Sequence, residues 1–276
     1  MTTLAWTNRA LLMSRAAILV GFDFAWADRK PGAICSAVFD GDCFVEFREP
    51  ELVGFERALI YIKSIQRSDL PTLVALDQPT IVPNADGMRP VDKAVSRLIS
   101  WIGGGVQPAN RGKLNMFGPH APISIFLEKL GADENPEVAR TAMRGLHLIE
   151  VFPALALASL EQHFFGRLKG PRYNPSRRNT FKIEDWRAVI AAARNEAMRF
   201  GCTFLSGWLD QLATIGMPKK TDQDRLDAVL CLLIAIRWRL GARNDSIMVG
   251  DLQTGYMIAP VSVEVKDRLQ RSSTIA

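Results

Sequence analysis

The sequence has few cysteines and lacks a long apolar run. The 276-residue chain contains four cysteines, none in the C-x-x-C spacing of a metal or redox site. Cys35, Cys43, Cys202 and Cys231 are therefore expected to be reduced thiols in a cytoplasmic protein. Charged residues interrupt every apolar segment before it reaches the length of a membrane span. These absences argue against a disulfide scaffold and against insertion into a membrane.

A phosphate-binding glycine loop is also missing. Gly103-Gly104-Gly105 suggests one, but Gly112-Lys113 has no glycine at the required upstream spacing. Leu114 stands where a Ser or Thr would hold magnesium. The three glycines are expected instead to end a helix and to form a loop.

The length and composition fit one large folded unit. With 48% apolar residues, the chain can bury a full core. We expect a flexible extension over residues 1–15, a single domain over 16–265 and a frayed tail over 266–276. The net charge of +5 is compatible with a polyanionic partner but does not identify one. Oligomeric state is not predicted by the sequence.

The apolar pattern predicts an α/β fold. A short apolar run followed by a polar turn predicts a central strand from residue 17. Two further strands, over 32–39 and 43–47, flank the turn Asp40-Gly41-Asp42 and complete an antiparallel meander. An apolar block at residues 228–236 predicts a buried late helix. The remaining expected elements are helices over 53–65, 91–102, 123–130, 136–145, 183–200 and 203–213, strands over 72–76 and 147–151, and a closing β-hairpin over 246–259.

Five acidic residues lie in or beside predicted buried elements. Asp23 lies inside the first strand, Asp77 ends the fourth and Glu150 lies inside the fifth. Asp224 and Asp227 share one face of the first turns of the late helix. Converging carboxylates repel one another, and a hard divalent cation such as Mg²⁺ or Mn²⁺ removes that conflict. Two such ions about 4 Å apart can catalyse phosphodiester hydrolysis.

Two structural explanations of these acids remain open. Arg89 or Lys93 would neutralise the cluster if it is a structural network. Asp224 would form a capping pair with Thr221, since acids are favoured at the positive end of a helix. Spacing alone does not choose between these explanations and a metal site.

A basic segment precedes the first of the long C-terminal helices. Residues 167–182 contain six cations and no acid, interleaved with aromatic residues and broken by glycine and proline. Such a loop suits phosphate backbones and base stacking, although it would equally fit a solvated loop paired with acids elsewhere. The candidate nucleic-acid-binding residues are Arg167, Lys169, Arg172, Tyr173, Arg177, Arg178 and Lys182.

Five short motifs, in order, carry a resemblance to a known family. They are Gly21-Phe22-Asp23-Phe24-Ala25, Leu76-Asp77-Gln78-Pro79, Arg89-Pro90-Val91-Asp92, Ile149-Glu150-Val151-Phe152-Pro153 and Asp227-Ala228. Over residues 18–260 the chain resembles an uncharacterised bacterial family, domain-of-unknown-function family 429, described as predicted nucleases of the RNase H fold. More distantly, its acidic set is similar to that of RuvC-type Holliday-junction resolvases. The resemblance implies an RNase H-like, mixed five-stranded sheet flanked by helices, with helical insertions.

The resemblance also implies a function and residue roles. It implies a nuclease that uses Mg²⁺ or Mn²⁺ to hydrolyse DNA or RNA. The first alternative is a catalytically inert nucleic-acid-binding or interaction protein of the same fold. An actin-like ATP-dependent phosphotransferase is less favoured, because the glycine of its Asp-x-Gly pattern is absent after Asp23. The implied roles are catalytic for Asp23, Asp77, Glu150 and Asp227, metal-binding for Asp23, Asp77, Asp224 and Asp227, and site-lining for Arg89 and Asp92.

Overall fold

A computed structural model of the protein describes residues 15–24 and 30–273. The extension expected over residues 1–15 therefore lies, apart from Arg15, outside the described residues. The strands are β1 (Ala17–Asp23), β2 (Gly32–Phe39), β3 (Phe44–Val53), β4 (Thr72–Asp77), β5 (Leu146–Glu150), β6 (Ser246–Asp251) and β7 (Gly255–Pro260). The helices are α1 (Phe55–Ile65), α2 (Pro90–Ile102), α3 (Leu114–Phe117), α4 (Pro122–Leu130), α5 (Pro136–Thr141), α6 (Pro153–Leu160), α7 (Ile183–Arg199), α8 (Thr203–Ala213), α9 (Lys220–Leu240) and α10 (Val263–Ser273).

The main sheet has β1 at its centre. Its strand order is β3-β2-β1-β4-β5, with β1, β2 and β3 antiparallel and with β4 and β5 parallel to β1. Strands β6 and β7 form a separate antiparallel hairpin. The predicted α/β class, the mixed five-stranded sheet flanked by helices and the C-terminal hairpin are thus confirmed.

The two faces of β1 carry two different cores. Ile18, Val20 and Phe22 point to the side covered by α1 and α4. Alternate residues point to the other side, which is covered by α2, α6, α7, α8 and α9. Since both faces are covered, β1 is apolar along almost its whole length instead of alternating with polar residues.

Gly21 lets the long helix α9 lie directly on β1. A Cβ atom at Gly21 would stand 2.1 Å from the carbonyl oxygen of Ala228 and 2.3 Å from the backbone nitrogen of Leu232. Any larger residue would therefore push the helix off the strand. This close approach brings the first turns of α9 to the carboxyl end of β1.

Several elements differ from the sequence-based expectation. Helices α3 and α6 form where no helix was predicted. Strand β3 continues to Val53, well past the expected end at Phe47, and forms an edge of the sheet with a partly exposed, charged sequence. Helix α10 occupies Val263–Ser273, where a frayed tail was expected from Lys266. Burial of Val265 and Leu269 in the main core holds this helix in place. Within the described ranges, no helix is both long enough and apolar enough to cross a membrane.

Candidate functional site

Asp23 and Asp77 stand side by side at the carboxyl ends of two parallel strands. They are paired in register as the last residues of β1 and β4. Gly21 lies against α9, and side chains two residues apart share a face of a strand, so both carboxylates belong to the α9 side. Functional groups of open α/β sheets gather at this edge. Both residues are half-buried, and neither carboxylate has a hydrogen bond or ion pair with a described residue.

Asp227 enters the same place from α9. It is 7% exposed, and its carboxylate accepts hydrogen bonds from the Tyr173 hydroxyl at 2.8 Å and from Gln223 Nε2 at 2.9 Å. One turn earlier, Asp224 is paired with Lys220. The alternative capping pair of Asp224 with Thr221 does not form, because Asp222 accepts the backbone N–H of Lys219 at 2.8 Å and so caps the helix.

The three aspartates disfavour one another's ionisation. Burial, followed by the charges of Asp227 and Asp77, raises the pKa of Asp23 well above its ordinary value. Burial and the charge of Asp227 do the same to the pKa of Asp77. The pKa of Asp227 is raised to about 6 by burial, against the opposing charge of Lys220 and the hydrogen bond from Tyr173. The cluster therefore has too little positive charge around it to be fully ionised without a further cation.

Oxygen donors of this kind fit a hard divalent cation. As the side chains stand, however, no group of three His, Cys, Asp or Glu residues in the described part of the chain is arranged to hold a metal ion. Magnesium is commonly held by one or two carboxylates together with substrate phosphates. The donor chemistry of Asp23, Asp77 and Asp227 thus fits Mg²⁺ or Mn²⁺, while the arrangement leaves ligand positions for a substrate.

Replacing Asp77 by asparagine is expected to stabilise the fold at high pH. An acid whose pKa is higher in the folded than in the unfolded state binds more protons when folded, so stability falls as pH rises through that interval. For Asp227 the interval runs from the ordinary value of 3.8 to about 6. We expect Asp77→Asn to raise the free energy of unfolding by on the order of 1 kcal/mol near pH 8, the scale of the repulsion between partly solvated charges, and to change it little near pH 4. Urea denaturation at both pH values measures this.

The matched control is Asp69→Asn, which alters an exposed aspartate of the loop before β4. It should leave the free energy of unfolding nearly unchanged at both pH values. If Asp77→Asn were neutral or destabilising near pH 8, the repulsion described above would be absent.

Glu150 and Asp92 belong to a separate, buried ion network. Arg89 donates to both carboxylate oxygens of Glu150, at 2.6 and 2.8 Å, and to Asp92 at 2.8 Å. The backbone N–H of Thr80 also donates to Glu150, at 3.1 Å, and that of Ala109 donates to Asp92, at 3.2 Å. Glu150 is paired in register with Leu76, one residue before Asp77, so it belongs to the other face of the sheet. Both oxygens of the Glu150 carboxylate therefore already accept hydrogen bonds from Arg89 or Thr80, and the group is not free to bind a metal ion.

The structural network left open by the sequence thus exists, but it takes up only part of the acidic set. Arg89 neutralises Glu150 and Asp92, whereas the exposed Lys93 forms no ion pair with a described residue. Arg89 and Asp92 are fully buried, so they support the site from behind instead of lining an open surface. Asp92 and Glu150 share the wall of a small cavity, of about 30 Å³, with Asp77 of the aspartate cluster.

The basic segment lies beside the aspartates. Its backbone is tied to the end of α2 by hydrogen bonds from Leu168 to Trp101 and from Gly170 to Ile102, at 2.8 and 2.7 Å. From this segment Tyr173 reaches Asp227. The six cations are exposed, and none of them forms an ion pair with an acid in the described ranges. They are Arg167, Lys169, Arg172, Arg177, Arg178 and Lys182.

Sequence reasoning missed two residues of the site. Burial lowers the pKa of Lys220, but the charges of Asp227, Asp224 and Asp23 raise it overall, so this lysine partly neutralises the cluster. Gln223 holds Asp227 from one turn away on α9. The spacing of four residues between Gln223 and Asp227 is the one signal that could have identified this pair.

Comparison with known proteins is limited to the family level. No curated protein and no solved structure matches the chain significantly. The profile of one family, described as proteins of unknown function (DUF429), matches residues 21–249, which include both strand aspartates and the first turns of α9. Because this match covers most of the sequence, the chain belongs to the DUF429 family.

Proposed function

We propose that the protein is a Mg²⁺- or Mn²⁺-dependent nuclease of RNase H-like fold that hydrolyses phosphodiester bonds. The observation that carries the proposal is the meeting of Asp23, Asp77 and Asp227 with too little compensating charge. The antiparallel β1–β3 meander, the parallel β4 and β5 and the late buried helix support the RNase H-like assignment.

In this proposal the carboxylates of Asp23, Asp77 and Asp227 would hold the cation together with a phosphate of the substrate. When bound, the ion would activate water and stabilise the leaving oxygen. Tyr173 and Gln223 fix the orientation of the Asp227 carboxylate through their two hydrogen bonds. Lys220 offsets part of the negative charge before the ion arrives, and Arg89 keeps Glu150 out of the reaction. Glu150 is thus proposed as a structural residue, not a catalytic one.

The exposed basic segment supplies the binding surface for the nucleic acid. Its six cations lie on the segment whose Tyr173 donates a hydrogen bond to Asp227. Unpaired surface cations attract phosphate backbones with an affinity that falls as salt concentration rises. DNA and RNA both fit this chemistry.

Thermal unfolding with and without millimolar Mg²⁺ or Mn²⁺ tests the metal site. A ligand at about 100 times its dissociation constant adds about 2.7 kcal/mol to the folded state. We expect the unfolding midpoint of the wild type to rise with the metal and that of Asp23→Asn to stay constant. Asp69→Asn should behave as the wild type does.

The same titration is repeated with a single-stranded oligonucleotide present, so that a cation that requires substrate phosphate is also detected. If neither titration shows a shift while oligonucleotide binding remains salt-sensitive, the protein binds nucleic acid without catalysis. That result would contradict the proposed function and favour the inert binding protein.

A further inference from the structure

A cavity of about 380 Å³ lies next to the aspartates, separated from them by two side chains. Tyr173 and Gln223 form part of its wall, and both donate hydrogen bonds to Asp227 on their other side. The volume falls within the range of about 300 to 1,000 Å³ that is typical of small-molecule pockets. Only the side chains of Tyr173 and Gln223 would separate a group bound there from the carboxylate of Asp227.

The cavity has an apolar floor, and one residue of its wall carries a buried, unused acceptor. Ile99, Ile102, Ala154 and Leu157 contribute apolar surface. Gln223 is 7% exposed, and its Oε1 atom has no hydrogen-bond partner among the described residues, because only the Nε2 group is used by Asp227. A buried polar atom without a partner costs about 1 to 3 kcal/mol, so a ligand with an N–H donor would relieve that cost.

The rim of the cavity is basic. Arg172 and Arg177 belong to its lining, are exposed and form no ion pair within the described part of the chain. A fitting ligand therefore has an apolar, flat body, an N–H donor and a phosphate. A nucleotide has all three, since every nucleobase presents an N–H donor on its pairing edge.

We infer that this cavity receives the unpaired base of a nucleotide that neighbours the phosphate to be cleaved, with Gln223 Oε1 accepting from the base and Arg172 and Arg177 binding its phosphate. A base that is stacked and paired in a duplex must leave the stack before it can enter a pocket. The substrate class is accordingly a single strand, or a strand with an unpaired base. This inference rests on the proposed function and names its substrate.

Isothermal titration calorimetry in EDTA tests the cavity without any hydrolysis. The probes are the four nucleoside 5′-monophosphates and, as the matched ligand without a base, ribose 5-phosphate. We expect at least one nucleotide to bind at least about tenfold more tightly than ribose 5-phosphate, since stacking of a base adds substantially to affinity. Equal affinities for all probes would overturn the inference.

Two variants locate the binding. Ala154→Trp fills the cavity and should weaken nucleotide binding at least about tenfold without changing ribose 5-phosphate binding. Ala191→Trp, at an exposed alanine of α7, is the control and should change neither. Gln223→Met keeps the side-chain length and removes the acceptor, and should weaken nucleotide binding about three- to tenfold. If Ala154→Trp does not fold, Gln223→Met alone decides, and unchanged nucleotide affinity in it would refute the inference.

Competition separates a polynucleotide substrate from a free nucleotide. A single-stranded oligonucleotide should displace the bound nucleotide, whereas the same oligonucleotide with abasic positions or in a full duplex should do so at least about tenfold less well. Displacement by none of them would overturn the assignment to a strand.

The two proposals fail in different ways. Nucleotide binding without metal-dependent cleavage of any strand would refute the proposed nuclease function but not the nucleotide-binding cavity. Cleavage of a full duplex with no nucleotide binding would refute the nucleotide-binding cavity but not the proposed nuclease function.

Discussion

Asp23→Asn is expected to lower the rate of metal-dependent strand cleavage by at least about a thousandfold. A bound divalent ion supplies several kcal/mol of transition-state stabilisation, and each 1.36 kcal/mol lost is a factor of ten in rate. Asp23 stands in register with Asp77 and faces Asp227, so its carboxylate is central to the set that would hold the ion. Single-turnover cleavage of a labelled single strand in Mn²⁺ measures the loss.

The control for this substitution removes a carboxylate elsewhere. Asp69→Asn should cleave at a rate within about twofold of that of the wild type. Its side chain is exposed and lies in the loop before β4, at the opposite end of that strand from Asp77. The fold of Asp23→Asn is checked by its thermal unfolding in EDTA, where the relief of repulsion should keep it at least as stable as the wild type. Cleavage at the wild-type rate by folded Asp23→Asn would exclude the aspartate centre as the catalytic site.

Arg89→Met is expected to destabilise the fold by about 3 to 5 kcal/mol, the usual cost of removing one partner from a buried ion pair. Arg89 is fully buried, and its loss would leave Glu150 and Asp92 without their cation. At about 2 to 4 °C per kcal/mol for a chain of this size, the unfolding midpoint should fall by roughly 10 °C. Differential scanning calorimetry and urea denaturation near neutral pH measure both quantities.

The size of this effect depends on the carboxylates of Glu150 and Asp92, which would lose their cation. A second variant tests this dependence. Arg89→Met combined with Glu150→Leu should recover part of the lost stability, because it removes one of the uncompensated charges. Arg97→Met, at an exposed arginine of α2, should be nearly neutral. A cost below about 1 kcal/mol for Arg89→Met would contradict a network that depends on its charge.

The sheet could be predicted from the sequence because its signals are local. Strands β1 and β4 are short apolar runs that end at an aspartate, and they form where the pattern places them. The second half of β3 was missed because it reads Arg48-Glu49-Pro50-Glu51, a polar sequence that an edge strand tolerates but that resembles a loop. Helix α10 was missed because its burial depends on Val265 and Leu269 meeting a distant core.

The acidic site was predictable only in part. Asp23 and Asp77 were found because each follows a short apolar run typical of a buried strand, and the register of β1 and β4 brings them together. The sequence left open whether Arg89 neutralises the acids, since that depends on side-chain directions on neighbouring strands and not on spacing. The hydrogen bond from Tyr173 to Asp227 joins residues far apart in the chain, and no local pattern predicts such a contact.

The central position of β1 has a consequence while the chain is being synthesised. Strand β1 and both of its neighbours, β2 and β4, are complete by Asp77, whereas the covering helix α9 begins only at Lys220. The face of β1 that α9 covers therefore stays exposed during much of translation, a condition that promotes aggregation of nascent chains. Asp227 leaves the ribosome long after Asp23 and Asp77, so a growing chain holds these two acids without their third partner. Under the proposed function, hydrolysis cannot begin beside the ribosome's own RNA until Asp227 has emerged.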